Sequence, residues 1–375
     1  MRAVSANRLR SAKRVVVKIG SALLVDQEHG TVRRKWLEAL AEDVAAMKAR
    51  GQDVILVSSG AVAVGRRYLG LGTGKLKLED KQAAAATGQI RLAHAYQEVL
   101  GHHDIIVSQV LLTLDDTEGR RRYINARNTL NALLKRGAVP LINENDTVAT
   151  EELRFGDNDR LGARVAAMAG ADVLVLLSDI DGLYTANPNL DPGAKHIPVV
   201  DAVTPEVEAM AGDSSTNVGS GGMITKLAAA KICLMNGCAM AISVGKEAHA
   251  LKLLEDGGRA TWFIPSMTPA GARKRWIACS LQPMGGLVLD DGALKALKAG
   301  KSLLPIGVTK IEGEFQKGDA VVIRDKAGRE LARGLAAYSS GDARKIIGRP
   351  SSEIEDLLGY RGRDELVHRD DLALS

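Results

Sequence analysis

The chain has 375 residues, 46% of them hydrophobic and 25% charged, which is ordinary globular composition with room for about two or three domains. No apolar run approaches the ~20 residues needed to span a bilayer, and aromatics at 3% leave the core to aliphatic side chains. The net charge of +5 is concentrated early: residues 1–50 hold eleven Lys/Arg against five Asp/Glu, whereas residues 277–375 hold fifteen of each, so a C-terminal clamp on nucleic acid is disfavoured.

The first fourteen residues are basic but lack the apolar region of a secretory signal, and they run straight into a strand. Cys233, Cys238 and Cys279 show no C-x-x-C spacing. That argues against zinc or a disulfide framework and fits thiols in a reducing cytoplasm.

Short β-branched runs then alternate with helical stretches. Val15–Ile19, Val54–Val57, Ile105–Val110, Ala138–Ile142, Val173–Leu177 and Met240–Val244 read as buried strands. Between the first two, Leu37, Leu40, Ala41, Val44 and Met47 make one face of a helix over 34–50 that Gly51 stops. Such alternation predicts a three-layer αβα sandwich with a mostly parallel central sheet, whose ligands bind at the carboxyl ends of the strands. After residue 265 the pattern changes. A basic connector (Pro269, Gly271, Arg273, Lys274, Arg275) precedes short strands at 286–289, 308–311 and 320–323, so a second, β-rich barrel domain is expected. The expected boundaries are 1–268 and 280–375. Gly300-Lys301-Ser302 lacks the upstream glycine of a P-loop and is set aside.

Six clusters at or near strand and helix ends carry the chemistry. Lys18 sits in an apolar strand just before Gly20-Ser21, where a lysine must either reach the sheet's rim or find an anion. Val57-Ser58-Ser59-Gly60-Ala61 places two hydroxyls and a glycine at the second strand's end; a plain Ser N-cap is compatible with this. Asn143-Glu144-Asn145-Asp146 and Gly156-Asp157-Asn158-Asp159 follow the fourth strand. They suit the binding of a small polar zwitterion, although Asx turns alone would use the same residues. Ser178-Asp179 ends the fifth strand where a nucleotide is within reach. Finally Gly219-Ser220-Gly221-Gly222-Met223-Ile224-Thr225-Lys226 leads three glycines into a helix. Glycines let backbone N–H groups approach an anion, and the helix N-terminus and Lys226 add positive charge.

In this order, V-V-K-I-G-S, V-S-S-G-A, R-x-Y-I-N-A-R-N-T, N-E-N-D, G-D-N-D, S-D-I-D-G-L-Y and G-S-G-G-M-x-T-K resemble the amino-acid kinase family over residues 13 to 265. Within the family they resemble the members that phosphorylate glutamate, and the β-rich tail resembles a PUA domain. The resemblance implies transfer of phosphate from ATP, with Mg²⁺, to the side-chain carboxylate of L-glutamate, the first step of proline synthesis. It implies Lys18, Lys226 and Asp159 as catalytic residues, Asp159 holding the two lysines. Ser58, Asp146 and Asn158 would bind glutamate. Lys18, Ser178, Asp179, Ser220, Gly221, Gly222, Met223, Ile224, Thr225 and Lys226 would bind ATP. No Mg²⁺ ligand is assigned. Proline as feedback inhibitor and a homo-oligomer are also expected, and no membrane partner.

The chemistry is self-consistent: a side-chain carboxylate, pKa about 4.3, is already ionised at neutral pH and needs no general base. Catalysis reduces to alignment and charge neutralisation. The competing readings are another carboxylate or carbamate kinase, an RNA-associated factor acting through the tail, and a tail that tunes assembly or inhibition.

Overall fold

The structure, a computed structural model, describes residues 8–26, 28–72, 74–149, 158–211, 222–279 and 281–374. It divides into two compact units, Met1–Pro269 and Ala270–Ser375.

The first unit is built on strands β1 (Arg14–Ile19), β2 (Asp53–Ser58), β3 (Val107–Leu112), β4 (Val139–Glu144) and β5 (Val173–Ser178). A small ribbon follows, β6 (Leu183–Tyr184) with β7 (His196–Ile197), and then β8 (Val199–Val200), β9 (Ala239–Val244) and β10 (Ala260–Phe263). Among the described residues the main sheet runs β3-β4-β2-β1-β5-β9-β10-β8. The pairs from β3 to β9 are parallel, and β10 turns antiparallel against β9. The chain leaves β1 on one side toward β2 and returns on the other as β5. This reversal opens a crevice at the carboxyl ends of the central strands.

Helices cover both faces, and β1 shows how the sequence divides them. Val15, Val17 and Ile19 enter one core, with Leu37, Leu40 and Met47 from the helix Arg34–Ala49 and Leu92 and Tyr96 from the helix Leu78–Gly101. Val16 enters the other, with Leu161 and Val165 from the helix Asn158–Ala169 and Leu227 and Cys233 from the helix Met223–Met235. Each such aliphatic side chain contributes about 1.5–3 kcal/mol on burial. Alternation along the strand therefore sends Lys18 to the same face as Val16, beneath the helix Asn158–Ala169. A Cβ built on Gly162 of that helix would lie 3.5 Å from Lys18 Cβ.

One helix crossing is unusually close. The helices Ala61–Tyr68 and Leu78–Gly101 meet through Gly65 and Gly88, and a Cβ on either would overlap a backbone carbonyl of the other helix, of Ala84 or Ala61. No helix among the described residues is long and apolar enough to cross a membrane.

The second unit carries β11 (Gly285–Leu289), β12 (Val308–Gly313), β13 (Ala320–Arg324), β14 (Glu330–Leu335) and β15 (Leu372–Leu374), ordered β12-β11-β13-β14-β15. Its own core contains Leu287, Phe315, Val321, Ile323 and Val367.

Two details differ from expectation. The basic connector is helical over Pro269–Cys279, because Pro269 starts a helix well and alanines and long side chains follow. Arg273 of that helix donates to Asp371 Oδ1 from Nε at 3.1 Å and from Nη2 at 2.5 Å. The third strand begins two residues later than the apolar run. Asp104 takes a left-handed conformation and the Ile105 N–H closes the preceding helix on the Leu100 carbonyl.

Candidate active site

At the end of β1 the Lys18 ammonium lies 2.7 Å from Asp159 Oδ1, and the Lys226 ammonium lies 3.2 Å from Asp159 Oδ2. Thr225 donates to the same Oδ2 at 3.1 Å. Asp159 is fully buried in the first turn of its helix, and the two lysines are nearly so. Burial alone would push the Asp159 carboxyl up, but Lys18 and Lys226 outweigh it and hold it below the ordinary carboxylate value. Two positive charges face one negative within the triad, an arrangement that attracts a further anion.

Lys226 lies in the first turn of the helix Met223–Met235, whose N-cap Gly222 is extended and offers no side chain to the orphan N–H groups. Thr225 Oγ1 also lies 2.8 Å from the Gly222 carbonyl oxygen, so its single hydroxyl hydrogen is shared between that carbonyl and Asp159. Ser178 ends β5 and donates from Oγ to Asp179 Oδ1 at 3.0 Å, with Asp179 exposed. The Ser178 carbonyl accepts from the Gly245 N–H at 2.7 Å, and the Gly245 carbonyl accepts from Trp36 Nε1 at 2.7 Å.

At the ends of β2 and β4 a polar network forms. Asn158 Nδ2 lies 2.8 Å from the Ser58 carbonyl oxygen, 2.9 Å from Ser59 Oγ and 2.9 Å from Asn143 Oδ1. Tyr96 donates to Ser58 Oγ at 3.1 Å. Gly60, φ +107°, turns the chain from β2 into the next helix, and a Cβ there would lie 2.8 Å from Val25 Cγ2, so only glycine fits. Asp146 is half-buried in the loop after β4, which is pinned by the Asn145 N–H to the Leu112 carbonyl at 2.8 Å.

The structure thus gathers Lys18, Asp159, Thr225 and Lys226 into one contact group and Ser58 and Asn158 into another, joined because Asn158 and Asp159 are adjacent. Met223 and Ile224 lie in the same first turn as Lys226. Ser220 and Gly221, together with Gly156 and Asp157 of the second acidic cluster, lie outside the described residues. Sequence reading placed Asn143 and Ser59 within its clusters but passed over Tyr96 and Gln89. A buried polar side chain in a helix gives little local signal.

The amino acid kinase family profile matches residues 13–243, and the PUA domain profile matches residues 285–358. The chain belongs to the amino acid kinase family. Its relatives include the glutamate 5-kinase of Paramagnetospirillum magneticum, 65% identical over 98% of this chain and 99% of that one. Those of Rhodospirillum rubrum (61% identical; 96% of each chain) and Agrobacterium fabrum (59%; 98% of this chain and 94% of that one) are similar over the same extent. The solved UMP kinase of Ureaplasma parvum aligns at a TM-score of 0.46 and 17% identity, covering 67% of this chain and 98% of that one, a likeness too loose to assign anything.

Proposed function

We propose that the chain catalyses ATP-dependent phosphorylation of L-glutamate to L-glutamyl 5-phosphate, the first step of proline biosynthesis, in the cytoplasm. A side-chain carboxylate oxygen attacks the γ-phosphorus, the bond from that phosphorus to the β,γ-bridging oxygen breaks, and ADP leaves with the electron pair. What supports this assignment above all is the buried Asp159 set between two lysines at the carboxyl edge of the sheet.

In this reading Asp159 fixes both ammonium groups, and Lys18 and Lys226 neutralise the charge that gathers on the transferring phosphoryl group. Gly222 to Lys226, with Ser220 and Gly221, cradle the phosphates, and Ser178 and Asp179 meet the nucleotide. Ser58, Asp146 and Asn158 hold glutamate. No histidine lies within the sequence motifs that carry these residues, as befits an acceptor that needs no base.

Among the described residues no three His, Cys, Asp or Glu side chains converge on one point. The donor set therefore fits a Mg²⁺ ion carried chiefly by nucleotide phosphates and water rather than by a protein cage. Such an ion neutralises phosphate charge when bound. The kinase unit is taken as residues 1–268 and the PUA-like unit as 280–375, with proline as feedback inhibitor and a homo-oligomer as the working form.

A hydroxamate assay of the purified chain with ATP, Mg²⁺ and a panel of amino acids tests the assignment. Strong preference for L-glutamate over aspartate, N-acetylglutamate and carbamate is expected. Equal turnover of N-acetylglutamate would overturn it.

A further inference from the structure

The buried face of the long helix Leu78–Gly101 is mostly alanine, leucine and valine, yet three polar residues recur at seven-residue spacing along that side, the half-buried Gln82 and the buried Gln89 and Tyr96. Seven residues is close to two turns, so the three form one stripe about 21 Å long. Buried polar groups cost free energy unless bonded. Each of these is bonded, and each bond ends at the carboxyl edge of the sheet. Gln82 Nε2 donates to the Ala149 carbonyl at 2.9 Å, Gln89 Oε1 accepts from Asn143 Nδ2 at 2.6 Å, and Tyr96 donates to Ser58 Oγ at 3.1 Å.

The direction of these bonds is forced from one end. The Ser58 backbone carbonyl can only accept, so the Asn158 atom 2.8 Å away must be its amide nitrogen. That nitrogen turns Asn143 Oδ1 toward itself, which points Asn143 Nδ2 at Gln89. Gln89 then closes the chain with an acceptor. Both N–H hydrogens of Asn158 are consumed, and its Oδ1 makes no hydrogen bond among the described residues. Asn158 Oδ1 is left as an uncommitted acceptor.

We propose that Gln89 is a positioning residue that fixes the amide orientations of Asn143 and Asn158, so that the pocket favours an amino acid with a free ammonium group, while Gln82 and Tyr96 brace the two loops on either side. This rests on the glutamate-kinase reading above. None of the three need touch substrate. They act through Asn158, Ser58 and Ala149.

The test is steady-state kinetics of the full chain with L-glutamate and with N-acetylglutamate. Gln89→Met keeps the volume and removes the acceptor; Gln89→Glu keeps an acceptor oxygen in place. Gln89→Met should raise the glutamate KM about tenfold, leave the ATP KM within about twofold, and narrow the preference for glutamate over N-acetylglutamate. Gln89→Glu should recover most of the loss. A Gln89→Met enzyme with unchanged glutamate KM, one with both KM values raised equally, or a Glu variant as impaired as the Met variant overturns the proposal. Should Gln89→Met fail to fold, Tyr96→Phe removes a single hydroxyl from the same stripe. A rise of about threefold in glutamate KM alone supports the proposal, and no rise overturns it. A wild-type chain inactive on glutamate overturns the functional reading itself, whereas an active wild type with indifferent variants overturns only this inference.

Discussion

The ammonium of Lys18 stands 2.7 Å from a carboxylate oxygen of Asp159, a residue with no exposed surface. A lysine from the middle of the sheet and an aspartate from the start of a helix are thereby fixed to one another where substrate phosphate is expected. Lys18→Ala and Lys226→Ala should each lower kcat by roughly 10²–10³. Melting curves close to wild type would show that the loss is catalytic, and near-normal kcat in either variant would remove that lysine from the mechanism.

Asp159 links the site to stability through pH. Its carboxyl is held below the ordinary value in the folded state, so the contribution is fully present above the unfolded pKa of about 3.9 and is lost as pH falls through the folded value. Asp159→Asn leaves two buried ammonium groups without their shared anion and should cost about 3–5 kcal/mol at neutral pH. Urea melts between pH 3 and 7 should show the gap between wild type and variant closing only at the acid end. A constant gap would assign the cost to packing.

The contact between Gly65 and Gly88 predicts an effect away from the chemistry. Alanine at either position drives a methyl into a backbone carbonyl that has no rotamer to move, so the cost should reach or exceed the 1–3 kcal/mol of ordinary overpacking. Because Gln82, Gln89 and Tyr96 ride on the displaced helix, the glutamate KM should rise with it. Denaturant midpoints and kinetics measured together check this, and a variant within 0.5 kcal/mol of wild type would contradict it.

A chain ending at Pro269 keeps every strand of the main sheet and every site residue named here. It should fold and retain kinase activity, and the isolated tail from residue 280 onward should bind generic RNA weakly, given its fifteen basic against fifteen acidic residues. Activity of the shortened enzyme, and RNA binding at two salt concentrations, are the measurements. A folded but inactive shortened chain, or submicromolar RNA binding that collapses with salt, would require another role for the tail.

The parallel sheet was legible because buried strands leave unbroken β-branched runs, and Lys18 stood out because it interrupts one. The helix beginning at Met223 was equally plain from its glycines. Gln89 and Tyr96 were not, since a polar side chain in a helix looks solvated until the fold buries it. The helix within the connector near Gly271 was not legible for a related reason: a proline at the start of a basic stretch suits a loop and a helix start equally, and the pairing of Arg273 with Asp371, almost a hundred residues away, has no local trace.

Trp36 belongs to a helix near the start of the chain, but its indole N–H is committed to Gly245, one hydrogen bond from the Ser178 end of β5. Indole emission responds to changes in polarity and hydrogen bonding around the ring. With Trp262 and Trp276 replaced by phenylalanine, the remaining fluorescence would report on this edge of the sheet without any added label. Under the proposed role of Ser178 and Asp179, this indole would serve as a built-in optical gauge of nucleotide arrival.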